Sequence, residues 1–311
     1  MTTGVPQGSH LGPILFNLFI NDLCTNIHHS ECYLFADDLK IARCVNSISD
    51  SEKLQEDLNR LAYWCKCNLM VLNAEKCFHV RFSRKRLNSC KDIVYKINDT
   101  PLKQVEQIRD LGVILDSNLR FDQHINNITS KAFKMLGFVL RNTKEFKNSE
   151  TMIVLYNALV RSCLEYCSVV WNPYYNKYIQ RVESIQKKIL KIISFRLKTR
   201  HLDSYSSRLA NYKMISLEDR RQIHEQIFLY KIINGMLDCP QLLSKINIHM
   251  PTRAPQLAKY KPFIPDRANS NLGFNSPLNR LLRQYNTIIS NKRSLDVFGD
   301  TVAQFKRNLT L

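Results

Sequence analysis

Short apolar runs of mixed periodicity occupy the chain up to Phe121, and longer runs at helical spacing follow to about Pro240. Leu15, Leu18, Phe19 and Leu23 predict the buried stripe of a helix entered from the loop Gly4–Pro13. Ser49 or Asp50 is placed to cap a second helix with Leu54, Leu58, Leu61 and Trp64 inward. The flanks Cys32–Ala36 and Leu39–Ala42 suit a hairpin whose tight turn carries Asp37 and Asp38. Phe78, Val80 and Phe82 alternate as a half-buried strand running into the basic turn Arg84–Arg86. Ile93–Ile97, a turn at Asn98–Asp99, and Leu111–Leu115 add strand. The expectation for residues 1–121 is a small antiparallel sheet backed by helices, the α+β part of the chain.

Residues 122–240 read as almost wholly helical: Asp122–Arg141, Ser149 to about Cys167, Lys177–Arg200, and Leu217–Ile233 ending at Asn234–Gly235. In the third of these, Tyr178, Val182, Ile185, Ile189 and Ile192 share one face, with Lys177, Arg181, Lys188 and Lys191 on the other. From Gln241 to Leu311 the composition shifts to Pro, Asn and Arg. Lys259–Pro262 and Arg280–Arg293 interleave cations with aromatic or apolar residues, suiting either a grip on a single strand or a wrap around the helices. The wrap is the simpler reading. Ser294–Leu311 predicts a terminal amphipathic helix with Leu295, Phe298, Val302, Phe305 and Leu309 as its stripe.

Charge changes this picture. The 45 basic and 27 acidic residues leave a formal +18, a field that attracts polyanions. Between Lys177 and Arg200 eight cations face one acid, Glu183, so most have no acidic neighbour on their own helix. A nucleic-acid backbone is a natural partner for such a face. Membrane is not, because stretches such as Met152–Tyr156 fall well short of the roughly 20 apolar residues a span requires. No secretory leader is recognisable, so an intracellular protein of cytoplasm or nucleus is expected, its ten cysteines reduced and mostly buried. Cys65, Cys67, Cys77 and His79 form the one grouping that invites zinc, at a spacing that matches no common knuckle or ribbon.

The adjacent carboxylates of Asp37 and Asp38 carry the sharpest chemical signal. Two neighbouring anions repel and lose hydration near apolar packing, and a hard divalent cation relieves both effects. An isolated Asp-Asp is more often a solvated turn. Upstream, Gly8 and Gly12 allow close backbone approach, while Gln7 and Ser9 can bond a sugar, phosphate or base edge.

Taken together, GVPQGSHLGPILFNLFINDL followed by YLFADDLKIA resembles the reverse transcriptases of non-LTR (LINE-type, jockey-like) retrotransposons. WCKCNLMVLNAEKC (Trp64–Cys77) and LGVILDSNLRF (Leu111–Phe121) resemble the family's following motif and its primer-grip hairpin. Leu164–Tyr166, Val170–Pro173 and Arg220–Arg221 resemble its thumb and C-terminal continuation. The resemblance implies a partial palm over 1–121, a helical thumb-like region over 122–240 and a C-terminal extension over 241–311. It implies RNA-directed DNA polymerisation with Mg2+ or Mn2+, on an RNA template with a DNA primer and dNTPs. Asp37 would ligate metal, with Asp38 beside it, and Phe35 and Ala36 would line the primer end. Gln7, Gly8 and Ser9 would meet nucleotide and template, and Leu111, Gly112 and Val113 would support the primer. Lys76 would stand near the departing pyrophosphate, though an ordinary surface lysine is nearly as good a reading.

The family's other palm aspartate and its fingers lie before the loop motif, and an endonuclease domain often precedes them. The given sequence starts at Met1–Thr3, directly at that motif. Two-metal transfer requires two ions about 3.5–4 Å apart, more than one carboxylate pair readily holds. The expectation is therefore a polymerase fragment inactive alone; the alternatives are a non-catalytic nucleic-acid-binding remnant and a decayed element product.

Overall fold

The computed structural model describes residues 8–83, 93–199, 204–249, 261–291 and 295–310. Gln7, Arg84–Arg86, Cys90, Arg200, Lys259, Tyr260 and Arg293 lie outside them. The chain divides into two compact units, one of residues up to Ile108 with Asp116–Asn118, the other of Arg109–Leu115 and Leu119 onward.

In the first unit, α1 (Gly12–Ile20) and a 3-10 turn (Leu23–Asn26) precede the hairpin β1 (Glu31–Phe35) and β2 (Asp38–Ala42). Helix α2 (Ile48–Cys67) starts at Ser47, whose hydroxyl accepts from Asp50 N–H while the Asp50 carboxylate reaches back to the cap. The predicted cap at Ser49 or Asp50 is thus two to three residues late, because Asp50 is the reciprocal partner of a capping box. Its predicted stripe is inward: Leu58, Leu61 and Trp64 are buried and Leu54 is half-buried. After a 3-10 turn (Ala74–Lys76) come β3 (Phe78–Val80), β4 (Lys96–Ile97), β5 (Thr100–Pro101) and β6 (Lys103–Val105). Asn98 and Asp99, both at positive φ, make the β4–β5 turn.

The strands do not join into the single antiparallel sheet expected. Among the described residues they form four separate pairs, and β3–β6 is parallel. Strands of two to five residues offer too few ladder bonds to recruit a third neighbour. Phe78 and Phe82 are exposed, against the half-buried reading, and the strand stops at Val80.

In the second unit, β8 (Val113–Asp116) pairs with β7 (Gln107–Asp110), the division passing through this hairpin. Helix α3 (Asp122–Asn142), α4 (Ser149–Tyr156), a π turn (Asn157–Arg161) and α5 (Ser162–Glu165) pack with α7 (Asn176–Arg196). Ile125, Ala132, Leu136, Met152, Tyr156, Val182, Ile185 and Ile189 close that core, each buried aliphatic contributing about 1.5–3 kcal/mol. Helix α6 (Ser168–Trp171) intervenes, and α8 (Tyr205–Asn211) follows. Helix α9 (Leu217–Ile233) ends at Gly235 with φ +64, as the Asn-Gly signal predicts.

The remaining helices are α10 (Pro240–Leu243), α11 (Asn271–Phe274), α12 (Pro277–Asn291) and α13 (Val302–Thr310). Helices α12 and α13 pack on α9 around Leu229, Tyr230, Leu282, Tyr285 and Phe305, so this part wraps the helices. Leu295 is buried ahead of α13, and Phe298 is exposed rather than in its stripe. The thiols differ from expectation too. Of the described cysteines only Cys65 is fully buried, and Cys44, Cys67 and Cys167 are exposed. Cys65 and Cys67 therefore diverge, and among the described residues no three potential ligands of the His, Cys, Asp or Glu types gather.

Candidate catalytic hairpin and nucleic-acid interface

In the β1–β2 hairpin Leu34 pairs with Leu39 and Phe35 with Asp38, leaving Ala36 and Asp37 as a two-residue turn. Ala36 adopts φ +51, which the tightness of the turn imposes on a residue with a Cβ. Period-two alternation sorts the side chains: Cys32, Leu34, Leu39 and Ile41 pack on Ile20, Leu23, Leu61 and Trp64, while Tyr33, Phe35 and Asp38 face outward. Phe35 is 61% exposed, and Asp37 and Asp38 are exposed at the tip. Their oxygens suit a hard divalent ion, but no third acidic, His or Cys side chain joins them among the described residues. They fit one part of a metal site.

Helix α1 and the hairpin are anchored on one cluster, since Phe16 and Ile20 enter the core that Leu34 and Leu39 share. Gly8 takes φ +87. Ser9 Oγ accepts from Gly12 N–H at 3.0 Å, starting α1 while leaving its own proton to donate. The stripe predicted for α1 is reversed in part: Leu15, Leu18 and Phe19 are exposed, Leu18 by 69%. The inward residues are Phe16, Ile20 and Leu23. The helix is apolar all round, so spacing marks two candidate faces, and the single core of this unit takes one. Trp64 of the following motif is core, with Phe19 6.0 Å from its ring, while Lys76 is exposed on its 3-10 turn.

In the second unit the turn Leu111–Gly112 joins β7 to β8 at φ +42 and φ +88. Tyr166 donates from its hydroxyl to Leu111 O at 2.9 Å, and a Cβ on Gly112 would stand 3.3 Å from the Tyr166 ring. Val113 is buried, and Ile114 N–H donates to His124 Nδ1 at 3.2 Å. Leu111 and Gly112 thus present backbone at the surface on a rigid support.

A polar network that spacing does not reveal joins the motifs around Glu165, Asn172 and Arg220–Arg221. Arg220 binds the Glu165 carboxylate with two nitrogens. Asn172 accepts from Arg221 Nε at 2.9 Å and donates to Glu225 at 2.9 Å, and Arg280 Nε donates to Glu225 at 2.7 Å. Burial pushes the Glu225 carboxyl above its usual range, opposed by Arg280, and pulls the Arg221 guanidinium down. Arg221 is fully buried, with Nη1 and Nη2 unpartnered. These residues fasten α6, α9 and α12 together. The sequence marks Glu165, Asn172 and Arg220–Arg221 as parts of separate motifs without indicating that they meet.

Lys177, Arg181, Lys188 and Lys191 are exposed along α7, opposite buried Val182, Ile185 and Ile189. The helix's acid, Glu183, faces inward and accepts from Leu217 N–H, Glu218 N–H and the Tyr205 hydroxyl. It is therefore unavailable to neutralise the outer cations. Lys188 Nζ lies 5.4 Å from the Phe133 ring of α3. No helix among the described residues is long and apolar enough to cross a membrane.

Residues 1–140 match the family described as reverse transcriptase (RNA-dependent DNA polymerase). The chain is similar to the RNA-directed DNA polymerase from mobile element jockey of Drosophila melanogaster, 29% identical over 206 residues, covering 62% of this chain and 22% of the relative. The jockey polymerase of Drosophila funebris is 28% identical over 205 residues, covering 61% and 22%. The Pol polyprotein from type-1 retrotransposable element R1 of Bradysia coprophila is 24% identical over 176 residues, covering 55% and 17%. The chain thus spans about a fifth of the length of these relatives. No solved structure matches it.

Proposed function

We propose that the chain, whose residues 1–140 match the reverse transcriptase family, is the part of a non-LTR retrotransposon's RNA-directed DNA polymerase that holds the primer end. The observation that carries this reading is the ordered pair of loop motif and Asp37–Asp38 hairpin, both packed on one hydrophobic cluster. Asp37 supplies carboxylate oxygens to Mg2+ or Mn2+, and Asp38, one position along on the outward face, assists. The ion's contribution, when bound, is to neutralise charge on the transferring phosphate. Phe35 and Ala36 offer a flat, low surface to the primer end. Gln7, Gly8 and Ser9 meet nucleotide and template, and Ser9 retains a hydroxyl proton for that purpose. Lys76 orients a departing anion. Leu111, Gly112 and Val113 hold the primer backbone, and Lys177, Arg181, Lys188 and Lys191 hold phosphates of the bound nucleic acid. In this reading residues 1–121 are palm, 122–240 thumb and 241–311 an extension.

The test is Mg2+-dependent primer extension on an RNA template by the intact polypeptide that carries this segment. Asp37→Ala abolishes extension and leaves template binding intact. Undiminished extension by that variant refutes the role of Asp37. The +18 charge favours the second reading, a non-catalytic nucleic-acid-binding module. That reading predicts salt-dependent binding and no extension by the intact polypeptide.

A further inference from the structure

Besides its cations, the outer face of α7 carries an exposed aromatic ring. Lys188, Lys191 and Phe195 stand at i, i+3 and i+7, on one helical face. Phe195 is 73% exposed and Phe133 is 38% exposed with Lys188 over its ring. Helices α3 and α7 run side by side in the same direction: Phe133 meets Lys188, and further along Arg196 donates to Leu140 O at 3.0 Å and Thr143 O at 2.7 Å. Phe133, Lys188, Lys191 and Phe195 therefore form one strip. Seven residues of α7 set Phe195 about 10 Å beyond Lys188 along the helix axis, and Phe133 stands beside Lys188 on the neighbouring α3. Stacked nucleotides rise about 3.4 Å each, so this axial span corresponds to about three of them.

We propose that this strip binds single-stranded nucleic acid, with unpaired bases stacking on Phe133 and Phe195 and the intervening phosphates on Lys188 and Lys191. The proposal rests on the nucleic-acid reading above and adds to it the strandedness of the partner. Lysines alone would serve a duplex equally well. A duplex already buries its base faces in its own stack, and a phenylalanine side chain has no hydrogen bond to offer a phosphate. Only unpaired bases present a π face to it. The exposed rings are thus matched to a single strand, as the lysines are matched to its charge. A ring left mostly in water forgoes the burial that Ile189 and Ile193 obtain on the opposite side of the same helix.

Fluorescence anisotropy of the full chain with a labelled single-stranded RNA, and with its duplex, tests the inference across a salt series. Phe133→Ala and Phe195→Ala should each weaken single-strand binding about five- to a hundredfold, with duplex affinity and the slope against salt unchanged. Phe195→Tyr, which keeps the ring, should restore binding. Lys188→Gln with Lys191→Gln should lower the salt slope by about 1.4 for the single strand and about 1.8 for the duplex, weakening both forms. The proposal is overturned if the alanine variants bind single strands like the parent, or lose single-strand and duplex affinity alike. If neither form binds in a salt-dependent way, the nucleic-acid reading fails first and takes this one with it.

Discussion

His124 makes the β7–β8 hairpin sensitive to acid. Its side chain is 2% exposed, tilted against Trp171 with ring centroids 5.3 Å apart. Nδ1 accepts from Ile114 N–H, so the neutral ring carries its proton on Nε2, which is buried without a partner. Protonation would destroy that acceptor and strand a cation in the core. Burial, with Lys131 and Arg109 nearby, lowers the pKa from 6.5 to about 4. The folded state thus holds this proton more weakly than the unfolded chain. The stability involved is complete above pH 6.5 and is lost as pH falls towards 4. At 1.36 kcal/mol per unit the whole loss is about 3 kcal/mol, of which about 2 kcal/mol has gone by pH 5. Urea unfolding of a Trp64→Phe background, followed by Trp171 fluorescence at pH 7 and pH 5, reads it directly. His124→Asn sets an amide oxygen near the place of Nδ1 and cannot titrate, so its pH dependence over this window should be shallower by about 2 kcal/mol. Equal slopes for parent and variant would refute the reasoning.

Two further predictions concern packing and backbone. Glu225→Ala leaves Arg280 without its ion-pair partner and Asn172 without its acceptor, and should cost about 3–5 kcal/mol. Adding Arg280→Ala should cost much less than the sum, and strict additivity in a double-mutant cycle would show that the pair is not coupled. Gly112→Ala meets both φ +88 and the Tyr166 ring, so it should lose about 1–3 kcal/mol in a urea titration. Gly235→Ala, at φ +64 with open space around it, should lose less, and the reverse order would discount the ring contact.

Local signals were legible where one short segment holds all the chemistry. The hairpin follows from its two apolar flanks, because pairing in a tight hairpin is decided by adjacent residues, but its turn is Ala36–Asp37 rather than the expected Asp37–Asp38, since Asp38 pairs with Phe35 as the first residue of β2. The amphipathic split of α7 follows equally from its own spacing, since one turn of helix fixes which residues share a face. The cap of α2 was nearly legible. Ser47 and Asp50 satisfy each other's backbone, so Asp50 marks the helix start as the partner of the cap and not as the cap itself.

What required the tertiary structure was every choice between equally good local answers. The sequence of α1 offers apolar residues on all sides, and only packing against Leu61, Trp64 and the hairpin selects Phe16 and Ile20 over Leu15 and Leu18. The short strands alternate acceptably for one sheet, yet their pairing depends on partners far along the chain. Glu165, Asn172 and Arg221 stand in segments that the sequence marks, but nothing in it joins them to one another or to Glu225 and Arg280. Residues separated by up to 55 positions in hydrogen-bonded pairs become a buried network only once α6, α9 and α12 meet. Composition and spacing specify what a segment can form by itself. Burial depends on what else arrives there, and the low dielectric that gives these contacts their strength exists only after arrival.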